Sequence, residues 1–464
     1  MQLWAAEELK TVRMGDARLN KRLVTVVEAL SAQPTASVPQ AAGNWPATKA
    51  TYRFWDSERV TPEAIRAAHR DATVGRLASL SRVLAIQDTS EFDFSHHPGT
   101  KGLGPIGVPS RVGLKLHSAL AVSLEGVPLG IVHQQVWVRD PEDVGKAKRR
   151  RQLAIEEKES QRWLSGLDGT MAAIPQGVAV ITVGDSEADI FELFAKERRA
   201  GAELLIRATH NRVVSEEERY LWAAVRRMVP SGELTVELRR REELPARTAV
   251  LTVRHGTVEI HPPRNHKERS RMKPVKLQVV LVEEDNPPLG VEAICWLLVT
   301  TLAVGTLEEA VQCVRWYTYR WLVERYHYVL KSGCRLEGLQ LESAERIERA
   351  LATYAIVAWR LLWLTYEARR HPEASCEVAL EVHEWQALYC TKHKVGTPPS
   401  EAPTMRDAVR WIAQLGGFLG RKGDGEPGVK TIWRGLRRLH DIASTWQLAH
   451  PGVIPDPRVL VTYG

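Results

Sequence analysis

The sequence of 464 residues contains few cysteines, and they follow no recognisable spacing. Their number is odd and no CxxC pair occurs; the five are Cys295, Cys313, Cys334, Cys376 and Cys390. A disulfide framework is therefore not expected, and we predict reduced thiols in a cytoplasm. The 15 histidines likewise show no metal-ligand spacing, so we interpret them as surface or packing groups.

The sequence also lacks a long apolar run, a signal peptide, an internal repeat and a low-complexity tract. We therefore expect no membrane partner. The composition is that of an ordinary globular protein, 44% apolar and 26% charged, with a net charge of +7. The positive charge is partly clustered, which suits a polyanionic partner; the clusters lie at 146–151, 239–241, 267–273 and 434–438.

Residues 1–70 have the pattern of a small helical domain. An amphipathic pattern covers 19–30, and a second helix is predicted to begin with Thr61 as N-cap and Pro62 as its first residue. Such a domain could hold DNA through outward arginines or could simply cover the domain that follows it.

Residues 71–370 have the pattern of an α/β sheet interrupted by an antiparallel β insertion at 212–303. The first strand is expected to end at Asp88 and the fourth at Asp185. Residues 371–464 contain a Pro-rich linker at 391–404 and two C-terminal helices. The core strands are predicted at 83–86, 117–124, 127–137, 178–183 and 204–207, with a polar helix near 152–164 and a long apolar helix at 343–370. The insertion strands are predicted at 234–238, 248–253, 258–261, 277–283 and 294–300.

The stretch 316–331, WYTYRWLVERYHYVLK, is predicted to be one helix with a polar face. At about 100° per residue, its Tyr317, Arg320, Glu324 and Lys331 fall within a sector about 60° wide. A carboxylate among cations can hold a divalent metal beside a phosphate. A surface helix with solvated charges is the alternative.

Three carboxylates form the candidate site, namely Asp88, Asp185 and Glu324. Two aspartates at neighbouring strand ends and a helical glutamate can hold two Mg²⁺ or Mn²⁺ ions for an in-line phosphoryl displacement. The residues alone leave competitors open; these are Glu91 and Asp93 beside the first aspartate, and Glu187 and Asp189 beside the second.

The chain resembles the bacterial insertion-sequence transposases of the DDE superfamily that carry a Y-R-E-K signature. The matching elements are IQDTS around Asp88, VGDSEADI around Asp185, CWLLVT around Trp296 and YTYRWLVERYHYVLK with the full signature spacing. The GDARLNKRL, TYRF and LGGF stretches extend the resemblance over essentially the whole chain.

This resemblance implies a ribonuclease-H-like core with a β insertion, an N-terminal domain that binds terminal inverted repeats, and a C-terminal domain that forms a homodimer. It implies cut-and-paste transposition of double-stranded DNA into target DNA, through a hairpin intermediate, in a bacterial cytoplasm near the nucleoid. Asp88, Asp185 and Glu324 would be the metal ligands. The implied DNA contacts are Tyr317, Arg320, Lys331, Trp296, Arg207, Arg22 and Arg53.

Two other functions are considered. A non-catalytic inhibitor of transposition is expected to lack the N-terminal domain or an acidic ligand, and this chain retains both. A nuclease on the same core would cleave DNA without strand transfer. The ring of Trp296, without the resemblance, would be read as core packing, and the three arginines as solvated side chains.

Overall fold

The computed structural model describes residues 4–143, 153–238, 245–264, 266 and 269–450. The predicted basic clusters at 146–151 and 239–241 lie outside these residues, as does part of the cluster at 267–273.

The N-terminal part is helical, as predicted. Thr61 caps its last helix by accepting a hydrogen bond from the Ala64 N–H, and Pro62 is the first helical residue. The second helix buries its apolar stripe, which the amphipathic pattern indicates. The helices are α1 (Trp4–Glu8), α2 (Ala17–Ala32), α3 (Val38–Ala42), α4 (Trp45–Asp56) and α5 (Pro62–Leu77).

A ten-stranded mixed sheet forms the centre of the described chain. The strand order is β2-β3-β1-β5-β6-β10-β9-β8-β7, and β4 pairs with β3. The strands are β1 (Arg82–Asp93), β2 (Gly104–Ile106), β3 (Val108–Val122), β4 (Pro128–Trp137), β5 (Ala179–Gly184), β6 (Ala202–Arg207), β7 (Gly232–Leu238), β8 (Arg247–Ile260), β9 (Val275–Glu283) and β10 (Cys295–Thr300).

The predicted α/β class is confirmed, because an antiparallel meander of β1, β3 and β4 is followed by the parallel strands β5 and β6. The strand β1 is longer than predicted, so the expectation that it ends at Asp88 is wrong. It continues to Asp93 because β3 pairs with it along the whole length, from Leu84 with Val122 to Asp93 with Gly113.

The predicted β insertion forms part of the same sheet. The strand β10 pairs antiparallel with β6, so β7 to β10 extend the central sheet. Two of the predicted strands, 248–253 and 258–261, are one strand of 14 residues that bonds to β7 and β9. The insertion also contains a helix at Leu221–Arg227, where only strands are predicted, and this helix packs its apolar side on the sheet.

The other helices surround this sheet. The helix predicted near 152–164 is displaced, because the turn at Ile155–Glu157 precedes a helix that starts at Gln161. The long apolar helix is confirmed. The helices are α6 (Gln161–Ala173), α7 (Phe191–Ala195), α8 (Leu221–Arg227), α9 (Leu307–Thr318), α10 (Trp321–Tyr328), α11 (Ala344–Arg370), α12 (Val382–His393), α13 (Met405–Leu415) and α14 (Val429–Ala449).

The stretch 316–331 is not one continuous helix. The helix α9 ends at Thr318, a turn held by the bond from Arg320 N–H to Tyr317 C=O follows, and α10 begins at Trp321. A π turn at Val329–Gly333 then carries Lys331. Of the four predicted polar-face residues, Tyr317 and Arg320 are buried, whereas Glu324 and Lys331 are partly exposed.

The helix α11 connects the N-terminal and C-terminal parts. Its Thr353 accepts a hydrogen bond from Trp55 at 3.2 Å, and its Glu348 pairs with Arg66 at 2.8 Å. The C-terminal helices α13 and α14 pack on its other side. Along the described chain, no helix is long and apolar enough to cross a membrane.

Candidate active site

Sheet register brings two of the predicted carboxylates together. The strands β1 and β5 run parallel, with Ile86 opposite Val183 at the end of their paired segment. Asp88 and Asp185 each lie two residues further along the chain, Asp88 within β1 and Asp185 just after the end of β5. Because β5 stops at Gly184, Asp88 lies beside the open end of its parallel neighbour.

The electrostatics of Asp185 reflect this proximity. Burial is the main cause that raises its pKa, and the charges of Asp88 and Glu187 act in the same direction. A hydrogen bond from the Glu187 N–H, at 2.9 Å, and the charge of Arg320 oppose the rise in pKa. A half-buried carboxylate among other carboxylates gains when a cation binds.

Glu324 lies in the first turn of α10, which packs on β1. Its carboxylate is paired with the Arg320 guanidinium at 2.5 Å. Within the described ranges, no group of three His, Cys, Asp or Glu side chains stands close enough to hold a metal ion. The donor set nevertheless fits a hard divalent cation, since it consists of carboxylate oxygens. The third carboxylate, that of Glu324, is paired with Arg320.

Other contacts engage the two competitors of Asp185. Glu187 pairs with Arg162 at 2.5 Å. Asp189 is buried, accepts hydrogen bonds from the N–H groups of Thr209 and His210, and pairs with Arg212 at 2.6 Å. This pairing makes Asp189 a fold-stabilising carboxylate with no oxygen free for a ligand.

The competitors of Asp88 are engaged as well. Glu91 pairs with the buried Lys115 at 3.1 Å. Asp93 accepts hydrogen bonds from the Ser95 N–H and hydroxyl, at 2.9 and 2.6 Å. Asp88, by contrast, accepts no hydrogen bond from another described residue, and its Oδ2 lies 3.7 Å from the Nδ1 of His327.

Two aromatic rings meet beside the carboxylates. Tyr317 is buried, and its hydroxyl has no hydrogen-bond partner among the described residues. Burial raises its pKa, and the charges of Arg320 and Arg207 act against that rise. The half-buried ring of Trp296 meets Tyr317 edge-on, with ring centroids 5.5 Å apart.

The remaining predicted cations divide into two groups. Arg207 is exposed at the end of β6, and the ammonium of Lys331 lies 5.4 Å from the ring centre of Phe92 on β1. These two therefore lie on elements that adjoin the carboxylates. Arg22 and Arg53 instead lie on α2 and α4 of the helical N-terminal part, where Arg53 is exposed and Arg22 is partly exposed.

His327 is a site neighbour that sequence reasoning missed. It is 4% exposed, one helical turn after Glu324, and its Nδ1 lies 3.7 Å from an Asp88 oxygen. Its Nε2 lies 3.3 Å from the Ser118 hydroxyl, and Ser118 is the cross-strand partner of Asp88. The signal in the sequence was its i+3 spacing from Glu324, which places both side chains on one helix face.

Arg162 is a second neighbour that sequence reasoning missed. Its Nε donates to the Thr89 hydroxyl at 2.7 Å, next to Asp88, while its other end holds Glu187. Thr89 in turn contacts the buried His117 at 2.9 Å. One side chain thus ties the two aspartate-bearing segments together.

Three family models match the chain. Residues 1–60 match a transposase DNA-binding family, residues 146–360 a transposase DDE domain, and residues 356–449 a transposase Tn5 dimerisation domain. The DDE match contains Asp185 and Glu324 and begins after Asp88.

Proposed function

Because the chain belongs to the DDE transposases, we propose that it excises a DNA element by cutting at its terminal inverted repeats and joins it to target DNA. The family matches make it a DNA-binding polynucleotidyl transferase and endonuclease that forms a homodimer. They also imply a ribonuclease-H-like core that uses divalent metal ions.

The observation that carries the proposal is the proximity of Asp88 and Asp185, each two residues beyond the paired Ile86 and Val183, beside a helix that bears Glu324. We propose these three side chains as the ligands of two Mg²⁺ or Mn²⁺ ions. When bound, the ions would activate the attacking oxygen and stabilise the leaving oxygen of a phosphodiester.

The neighbouring side chains have roles that follow from their positions. Arg320 now neutralises Glu324 at 2.5 Å, and a DNA phosphate entering the site would compete for its guanidinium. That exchange would release the Glu324 carboxylate for metal binding. The unpaired hydroxyl of Tyr317 is a hydrogen-bond donor available to the same phosphate. Lys331 and Arg207 would neutralise phosphates on either side.

We also propose that cleavage passes through a hairpin on the element end, with the ring of Trp296 stacking on a displaced base. A base that leaves the stack costs a few kcal/mol, and stacking on an aromatic ring returns about 1–3 kcal/mol. Trp296 is partly exposed, whereas the four residues that follow it in β10 are buried.

The proposed division of labour follows three parts of the chain. Residues 1–70, with Arg22 and Arg53, would hold the inverted repeat; residues 71–370 would carry the chemistry; and residues 371–464 would pair two copies. Each copy would act on the end held mainly by its partner.

A plasmid excision assay tests this proposal. The substrate carries a marker between the inverted repeats found beside the coding sequence, and Mg²⁺ starts the reaction. Excision of the marker with joined products is expected, and Asp185→Asn is the matched inactive control. Equal nicking of a plasmid without the repeats, with no joined product, would instead identify a nuclease.

A further inference from the structure

The last helix, α14, presents an exposed face that is strongly basic. At about 100° per residue, its four cations fall within a sector about 100° wide and along about 12 Å of the helix. All four side chains are exposed; they are Lys430, Arg434, Arg437 and Arg438. Asp441 is the one carboxylate in the sequence of this helix.

Most of these cations have no counter-ion. Among the described residues, Lys430, Arg434 and Arg437 form no ion pair or hydrogen bond through their side chains, whereas Arg438 donates to the Leu415 carbonyl at 2.7 Å. Arginines on the neighbouring helix α13 behave differently, because Arg406 and Arg410 share the Glu426 carboxylate. Asp441 falls within the same sector. Four cations against this one carboxylate leave the face of α14 with a net positive charge.

The buried side of the same helix packs beside the catalytic segment. The Trp433 ring lies 5.7 Å from the ring of Tyr328, the last residue of the helix that bears Glu324. Trp433 also lies close to Gly333, in the turn that carries Lys331, since a Cβ added at Gly333 would come within 2.8 Å of its ring. Arg434 follows Trp433 directly but is exposed, so the basic face lies on the solvent side of the helix whose buried side packs near Tyr328.

We propose that this basic face binds the phosphate backbone of double-stranded DNA. Duplex DNA carries one negative charge per about 1.7 Å, so four cations along about 12 Å are matched by its phosphates. A second copy of the chain is a poorer occupant, because two identical basic faces repel each other. The C-terminal part therefore binds DNA in addition to pairing subunits, and the binding is independent of base sequence.

The salt dependence of DNA binding tests this inference. The full-length protein and its Arg434→Gln/Arg437→Gln variant are titrated with a fluorescent 40-base-pair duplex of random sequence, in EDTA and at several NaCl concentrations. Each phosphate contact contributes about 0.9 to the slope of log K against log salt. We expect the slope of the variant to be shallower by about 1.8, and its affinity at low salt to fall more than about tenfold.

The matched control removes two charges from another exposed place in the same part of the chain. Lys392→Gln/Lys394→Gln, at the end of α12, should keep the wild-type slope. A wild-type slope for the Arg434/Arg437 variant would overturn the inference, and so would equal loss in both variants.

Light scattering of the free proteins completes the test. If the Arg434/Arg437 variant alters the oligomeric state without altering the salt slope, the face is a protein interface and the inference is wrong. The inference rests on the proposed DNA-acting function. The titration measures binding in EDTA and requires no cleavage, so its result can be interpreted even if the proposed metal ligands are wrong.

Discussion

Glu28 is expected to make the junction between the N-terminal and C-terminal helices sensitive to pH. It lies on α2 and lines a cavity of about 640 Å³ that α11, α12 and α14 close from the other sides. Its Oε1 is buried without a hydrogen-bond partner among the described residues. Burial raises the pKa of this carboxyl to about 7, and the negative charge of Glu381 adds to the rise.

The sign of the effect follows from the raised pKa. Below the unfolded pKa of about 4.5 the carboxyl is protonated in both states and costs nothing. As the pH rises from about 4.5 to 7, the Glu28 carboxyl ionises in the unfolded chain but stays largely protonated in the folded protein. The free energy of unfolding therefore falls across this pH window. The full pKa shift corresponds to a loss of roughly 3 kcal/mol in the free energy of unfolding. Solvent screening of this partly exposed group reduces the expected loss to about 1 kcal/mol.

Glu28→Gln retains the shape of the neutral carboxyl and removes the titration. We expect the free energy of unfolding of the variant to match that of the wild type at pH 4.5 to 5 and to exceed it by about 1 kcal/mol at pH 8.5. Urea unfolding followed by circular dichroism at both pH values measures the difference. Glu58→Gln, an exposed substitution in the same part of the chain, is the control. A gain that does not grow with pH would show that Glu28 is ionised and solvated.

Four other outcomes are expected at the site and its supports. Asp88→Asn, Asp185→Asn and Glu324→Gln should each reduce strand cleavage at least about 100-fold while binding of end DNA in EDTA stays unchanged; cleavage by Asp185→Asn near the wild-type rate would contradict the assignment. Trp296→Ala should allow nicking and block the hairpin, and Trp296→Phe should retain the hairpin; on denaturing gels, parallel loss of both products would indicate core packing. His327→Leu should raise the Mg²⁺ concentration for half-maximal cleavage by about tenfold, with partial recovery in His327→Gln, and a lower rate at unchanged Mg²⁺ dependence would refute the positioning of Asp88. Gly333→Ala should destabilise the protein by about 1–3 kcal/mol in urea unfolding, because an added Cβ would lie 2.8 Å from Trp433, and unchanged stability would mean that the ring moves freely.

Elements with a strong local signal were predicted well from the sequence. The strand β5 is an apolar run buried on both faces, and its end fixes Asp185 at the sheet edge. The Thr61-Pro62 helix start and the long helix α11 were also correct, because capping and apolar periodicity are local properties.

The errors arise where distant parts of the chain decide the local structure. Gln87 and Thr89 look like the polar end of a strand, but β1 continues through Asp88. His117 on β3 hydrogen-bonds the Gln87 Oε1 and the Thr89 hydroxyl across the two strands. A single-sequence pattern contains no information about such a cross-strand partner.

The break between α9 and α10 has the same kind of origin. The periodicity of 316–331 is uninterrupted, but the structure has a turn between the two helices, and Tyr317 and Arg320 on either side of it are buried. His327 was read as a surface or packing group for a related reason, since only the fold places Asp88 beside it.

The contact of Trp433 with Tyr328 and Gly333 links assembly to chemistry. The ring belongs to the part of the chain that matches a dimerisation domain, and it rests on the turn that carries Lys331. Because the interior is close-packed, a substitution that displaces the Trp433 ring would also disturb the turn that carries Lys331. Damage to the part of the chain that matches a dimerisation domain would then be felt beside Glu324 as well.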